Sequence, residues 1–218
     1  MTPESLPGGM RLARFILGPI ETNGYVLTGG ASRSAVLVDP AEPDDAVDRF
    51  LDESRLRVTH ILLTHGHCDH IGGVDFYRKR TGAPVWIHAG DAAMLADPGR
   101  NLSVFLGDGV RTSDPEGLFR DGMDIRADGI CLTVLHTPGH TEGSVCLLGD
   151  GFVLSGDTLF RGSVGRTDLP GSSTPRLLDS IRRRLLPLDD RTAVYPGHGD
   201  PTEVGYERKW NPFLQGIA

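Results

Sequence analysis

The sequence is poor in cysteine, aromatics and basic charge, and it has no long apolar run. Each shortage excludes something. The three cysteines, Cys68, Cys131 and Cys146, are an odd number with no C-x-x-C spacing. That excludes a disulfide framework and fits a reducing compartment. Lys and Arg number 22 against 29 Asp and Glu, a net charge of −7. A chain that binds by neutralising phosphates needs the opposite balance, so no nucleic-acid partner is expected. Aromatics at 6% are too few for a base-stacking platform. No window approaches the roughly 18 consecutive apolar residues of a membrane span. The opening residues, MTPESLPGGMRLARF, contain no apolar stretch like that of a signal peptide. The expectation is a cytoplasmic protein with no membrane partner. There is also no G-x-S-x-G, no P-loop and no dinucleotide fingerprint.

What is present suits an ordinary globular chain. Its 218 residues are 39% apolar and 23% charged, enough for one domain over 1–218. Glycine and proline, 29 and 15 residues, promise many loops, and loops carry sites. Short apolar runs at 11–17, 25–28, 35–39, 58–64, 84–88, 130–136, 144–149, 152–157 and 192–198 read as strands. Helices are expected over 44–54, where Val47, Phe50 and Leu51 share a face, and over 71–80. A short one is expected near 91–95. Thr174-Pro175 reads as an N-cap followed by proline, opening a helix with Leu177, Leu178, Ile181 and Leu185 as its stripe. Another short helix is expected over 203–210. Residues 97–129 show no lasting period and read as loop with a short helix. Hairpin-like neighbours mixed with helical crossovers predict a mixed sheet, or two sheets, covered by helices rather than a purely parallel sheet.

Several strands end in loops bearing His or Asp, and one loop is unusually dense: His65-Gly66-His67-Cys68-Asp69-His70. His140, Asp157 and His198 stand on three further strand-end loops. Imidazole and carboxylate donors suit zinc, iron or manganese. Two residues spaced i, i+2 in a loop can aim at one ion, and the adjacent Asp-His pair at a second. A carboxylate from elsewhere can bridge them. Ions about 3.5–4 Å apart can then share a hydroxide.

THGHCDH (64–70), HTPGHTEGS (136–144), SGDTLF (155–160) and PGHG (196–199) resemble, in order, the motifs of the metallo-β-lactamase superfamily. The resemblance runs from about Phe15 to Pro201. It implies an αββα sandwich of two mixed β-sheets. It implies a first metal site of His65, His67 and His140, and a second of Asp69, His70 and His198, with Asp157 bridging. Two divalent ions are expected, zinc first, with iron or manganese as alternatives. LFRGSVGRTDLPGSS (159–173) and ERKWNPFL (207–214) look like the glyoxalase II-like, or hydroxyacylglutathione hydrolase, branch. Arg166 falls where that branch places a cation for glutathione. Asp168 stands where longer members tend to carry an aromatic, and the chain is expected to lack their C-terminal helical domain.

The resemblance implies hydrolysis of a small-molecule acyl thioester by a metal-bridging hydroxide, with Asp69 orienting it and accepting its proton. The alternative is a mononuclear-iron persulfide dioxygenase, using the positions of His65, His140 and Asp157. Those enzymes tend to carry a Cys where this chain has Ser163-Val164. A β-lactamase, a nuclease and a non-enzymatic module are weaker alternatives. Among the remaining singled-out residues, His60 and His88 read as core histidines, and His136 as strand-end packing or an orienting partner of His140. Cys68 reads as a bystander turned away from the ligands, and Trp210 and Phe213 as core packing of the tail.

Overall fold

The structure, a computed structural model, describes residues 2–30, 32–105, 107 and 109–216. The first sheet holds seven strands in chain order: β1 (Glu4–Ser5), β2 (Met10–Leu17), β3 (Thr22–Gly29), β4 (Ser34–Val38), β5 (Arg57–Leu62), β6 (Val85–His88) and β7 (Gly117–Phe119). Pairing is antiparallel from β1 to β4 and parallel from β4 to β7. The second sheet contains β8 (Asp124–Ala127), β9 (Ile130–His136), β10 (Val145–Gly149), β11 (Phe152–Gly156), β14 (Ala193–Pro196) and β15 (Thr202–Glu203). Its order is β15-β14-β11-β10-β9-β8. Only β11 and β14 pair in parallel. A small ribbon joins β12 (Leu159–Phe160) to β13 (Ser163–Val164).

The described residues also include five α-helices: α1 (Asp45–Glu53), α2 (Cys68–Ile71), α3 (Val74–Thr81), α4 (Thr174–Ser180) and α5 (Val204–Trp210). Helix α1 starts where the sequence puts it, because the Asp44 carboxylate accepts from the amides of Ala46 and Val47.

Three apolar layers stack between these parts. In β4, Ala35 and Leu37 face Val47 and Leu51 of α1 and Tyr77 of α3, while Val36 and Val38 face the second sheet. Burial on both sides explains why this central strand is apolar throughout. Between the sheets, Leu27, Val36 and Leu62 meet Leu132, Leu147 and Leu154. On the far face, Val153 and Val194 pack on Leu177, Ile181, Leu185 and Val204. The result is helix, sheet, sheet, helix, as the family resemblance implies.

Four expectations need correction. Residues 97–129 contain β7 and β8 besides a short 3-10 turn over Ser103–Phe105. Both strands are sheet edges of three or four residues, too short to show a period. The helix expected over 71–80 is two, because the chain turns at Gly72-Gly73 between α2 and α3. The capping position of α4 is Ser173, one residue before Thr174, whose hydroxyl instead bonds that of Thr167. Trp210 and Phe213 are 60% and 52% exposed and do not fill the core; Leu214 is the apolar residue that turns inward there.

Candidate metal centre

Hydrogen bonds join the two sheets at the edge where the His- and Asp-bearing loops lie. The amide of Val145 donates to the Thr64 carbonyl, and the amide of Asn23 to that of Gly197. The Asn23 side chain donates to the carbonyls of Pro196 and Gly199, and the Tyr25 hydroxyl to that of Pro196. Strand β3 of one sheet thus holds the loop after β14 of the other.

All seven predicted ligands converge there. His65, His67 and His140 offer nitrogens within 4.8 Å of one another. Asp69, His70 and His198 form a second such group, and His65, His70 and Asp157 a third between them. Asp157 faces both sides. Its Oδ1 lies 3.3 Å from His70 Nε2, and its Oδ2 lies 3.6 Å from the Nε2 atoms of both His140 and His198. Asp69 Oδ2 is 3.2 Å from His198 Nε2. Gly197 permits this closeness, because a Cβ there would come within 2.1 Å of Asp157 Oδ1.

Hydrogen bonds behind the ligands select which nitrogen faces inward. His140 Nδ1 donates to the Arg166 carbonyl at 2.9 Å, leaving Nε2 as a lone pair. The Thr64 hydroxyl donates to Asp39 Oδ2 and can therefore accept from His65 Nδ1. His70 Nδ1 lies 2.9 Å from Asp39 Oδ2. Inward-facing Nε2 atoms of His65 and His70, with Asp157 Oδ1, are buried without hydrogen-bond partners. Unpartnered buried polar atoms are costly, roughly 1–3 kcal/mol each. A metal cation satisfies imidazole lone pairs and carboxylates together, so this donor set fits metal ions.

Electrostatics agree with that use. Burial holds His65 well below the ordinary imidazole range. Burial and the neighbouring His140 take His67 down to about 3. Both are neutral at pH 7 and ready to ligate. Burial opposes charge on His70, but the carboxylates of Asp157, Asp39 and Asp69 outweigh it and raise its pKa. His198 is raised in the same way, burial being outweighed by Asp69 and Asp157. Burial also pushes against the charge on Asp69 and Asp157, yet the surrounding imidazoles hold both below the usual carboxylate value.

Two carboxylates were not legible in the sequence. Asp39, at the end of β4, accepts from the Thr64 amide and hydroxyl and bonds His70. Asp91 is fully buried and accepts from the Gly66 and Gly143 amides and the Thr141 hydroxyl. It joins the His65–His70 loop to the His140 loop. Their only signal is a lone Asp after an apolar strand, which many turns share.

The other singled-out residues sit as follows. His136 does not orient His140; its Nε2 bonds the Glu142 carbonyl and its ring stacks on His88. His60 is half-buried with Nδ1 beside the Thr59 hydroxyl. Cys68 is buried and belongs to none of the ligand groups among the described residues. All three cysteines are free. Arg166 borders a cleft of about 700 Å³ that reaches His67, His140, Asp157 and His198. Its guanidinium is held by both oxygens of Asp168, at 2.8 and 2.9 Å. Among the described residues, no helix is long and apolar enough to cross a membrane.

Residues 17–198 match the family described as the Metallo-beta-lactamase superfamily, and the chain belongs to it. Two curated relatives place it further. It is 37% identical to the probable metallo-hydrolase YqgX of Bacillus subtilis, over 96% of this chain and 100% of that one. It is 32% identical to the hydroxyacylglutathione hydrolase GloC of Haemophilus influenzae, over 84% and 88%. Among solved structures, the BLEG-1 B3 metallo-beta-lactamase superposes with a TM-score of 0.89 at 40% identity, covering 94% of this chain and 100% of that one. TTHA1623 in a di-iron-bound form superposes with a TM-score of 0.80 at 36% identity, covering 93% and 100%. The chain is a member of a metallo-hydrolase family.

Proposed function

We propose that the protein is a cytoplasmic thioester hydrolase of the hydroxyacylglutathione hydrolase type, acting on a small-molecule acyl thioester such as an acylglutathione. Neither nucleic acid nor membrane is a partner in this reading. The observation that carries it is the pair of adjoining donor groups, His65-His67-His140 and Asp69-His70-His198, with Asp157 between them at a substrate-sized cleft. The likeness to GloC supports the substrate class. The di-iron form of TTHA1623 supports a two-ion centre. Zinc is the first candidate for both ions, with iron or manganese as alternatives.

When bound, two such ions would acidify a water and polarise a carbonyl. The chain does the rest. His65, His67 and His140 hold one side, Asp69, His70 and His198 the other, and Asp157 reaches both. Asp69 stays ionised, so it accepts a hydrogen bond from the attacking water and orients it. A carboxylate with so low a pKa passes a proton on rather than keeping it. The departing thiolate is stable without protonation, which suits a site with no evident general acid. Arg166 is the candidate substrate contact in the cleft.

Metal analysis and a substrate panel test this reading. About two ions per chain, with turnover of glutathione or CoA thioesters, is the expected result. One iron per chain, with oxygen consumed on glutathione persulfide, would establish the dioxygenase instead. Cleavage of a chromogenic cephalosporin without thioesterase activity would overturn the reading in favour of a lactamase.

A further inference from the structure

One wall of the cleft takes no part in holding metal. Asn101 is fully buried and tightly tied. Its amide donates to the carbonyls of Met94 and Val110, its Oδ1 accepts from the Ser103 amide, and its carbonyl accepts from the Cys68 amide. The turn that follows is therefore fastened to α2, the helix of Asp69 and His70. Leu102 has φ of 69°, a left-handed conformation rare for a leucine. Such strain costs about 1–3 kcal/mol and persists only where surroundings impose it. Here it sets Leu102 against the cleft beside Phe105 and Ile20, with Phe160 and Val164 also lining it. Phe105 is 80% exposed and Ile20 45%, so apolar surface at the mouth is left uncovered by the chain itself. Arg166 is the only arginine or lysine lining the cleft among the described residues, and Asp168 pairs with it. A substrate carboxylate competes with Asp168 for the paired Nε–Nη2 face of the guanidinium.

We infer that the cleft selects thioesters with an apolar, uncharged acyl chain over hydroxyacyl or carboxylated ones. Leu102 and Phe105 are its specificity-determining residues, and Asp168 discriminates against anionic substrates. The inference rests on the thioester chemistry proposed above and replaces its hydroxyacyl, glutathione-borne substrate with an alkanoyl thioester of a less anionic carrier.

The test uses the metal-loaded protein and one neutral carrier, N-acetylcysteamine, bearing acetyl, butanoyl, hexanoyl or lactoyl groups. Binding of the matching S-alkyl thioethers, measured by calorimetry, is an independent readout. Both kcat/KM and thioether affinity are expected to rise roughly threefold per methylene, with lactoyl thioester poorer than butanoyl. Leu102→Gly suits the left-handed backbone, so its melting temperature should hold or rise while the chain-length dependence flattens. Phe105→Ala should flatten it as well. Asp168→Asn should improve binding of S-hexylglutathione roughly three- to tenfold relative to S-hexyl-N-acetylcysteamine. A flat wild-type series, a preference for lactoyl, or an unchanged slope in Leu102→Gly would overturn the inference. If no thioester is cleaved but thioether affinity still climbs with chain length, the thioester reading fails and the apolar subsite stands. If thioesters are cleaved with no chain-length dependence, only the subsite fails.

Discussion

His70 is a fully buried imidazole with a carboxylate on each side. Asp39 accepts a hydrogen bond from its Nδ1, and its Nε2 faces the centre. Asp39→Asn should keep the ring in place but lose that anchor. Metal affinity should fall roughly 10–100-fold in a chelator competition. Asp157→Ala removes a donor common to both sides and should cost more than that, abolishing turnover with the metal. Normal turnover in metal-depleted Asp157→Ala would sink the assignment. The pKa shifts predict a proton count. The carboxylates around His70 and His198 raise the pKa of both, His70 the more, so both favour the protonated form in the metal-free protein. Metal must displace those protons, so binding releases up to two protons and weakens as pH falls. Calorimetry in buffers of different ionisation enthalpy measures the release. Values near zero would show these imidazoles already neutral.

Between elements, the site depends on loops that each strand end presents and other loops pin. Asp91 is the pin between the His65–His70 and His140 loops. Asp91→Ala strands the Gly66 and Gly143 amides and the Thr141 hydroxyl at once. A loss of about 3 kcal/mol in urea unfolding is expected. Gly197→Ala should fold yet lose metal, since its Cβ would meet the Asp157 carboxylate and the His70 ring. Wild-type metal content in that variant would refute the closeness described. Long elements were legible in the sequence because their apolar periods are long, as in α1 and β9. Edge strands β7 and β8 were not, because their partners, not their residues, make them strands. Trp210 misleads for the opposite reason: a large apolar residue predicts burial, but at the end of α5 it points outward beside Lys209.

At the scale of the molecule, the centre joins two sheets that otherwise meet mainly through apolar contacts. Its donors come from positions 65 to 198 of the chain. Ions bound there act as ligands of the folded state alone. At concentrations about 1,000 times Kd they add about 4 kcal/mol, so chelation should lower the melting temperature by roughly 10 °C for a chain of this size. An unchanged melting temperature after verified metal removal would show that the loops are held without it. The chemical types of the donors, their order and a mixed α/β class were readable in the linear string, and the family resemblance of its motifs implied the two sheets. Imidazoles and carboxylates after apolar strands are local features, and packing has no use for so many of them. Which nitrogen faces inward, which carboxylate stands behind it, and that Asp168 already holds Arg166 were decided only by folding. Those are contacts whose geometry comes from backbone paths through several elements, and no spacing along one segment encodes them.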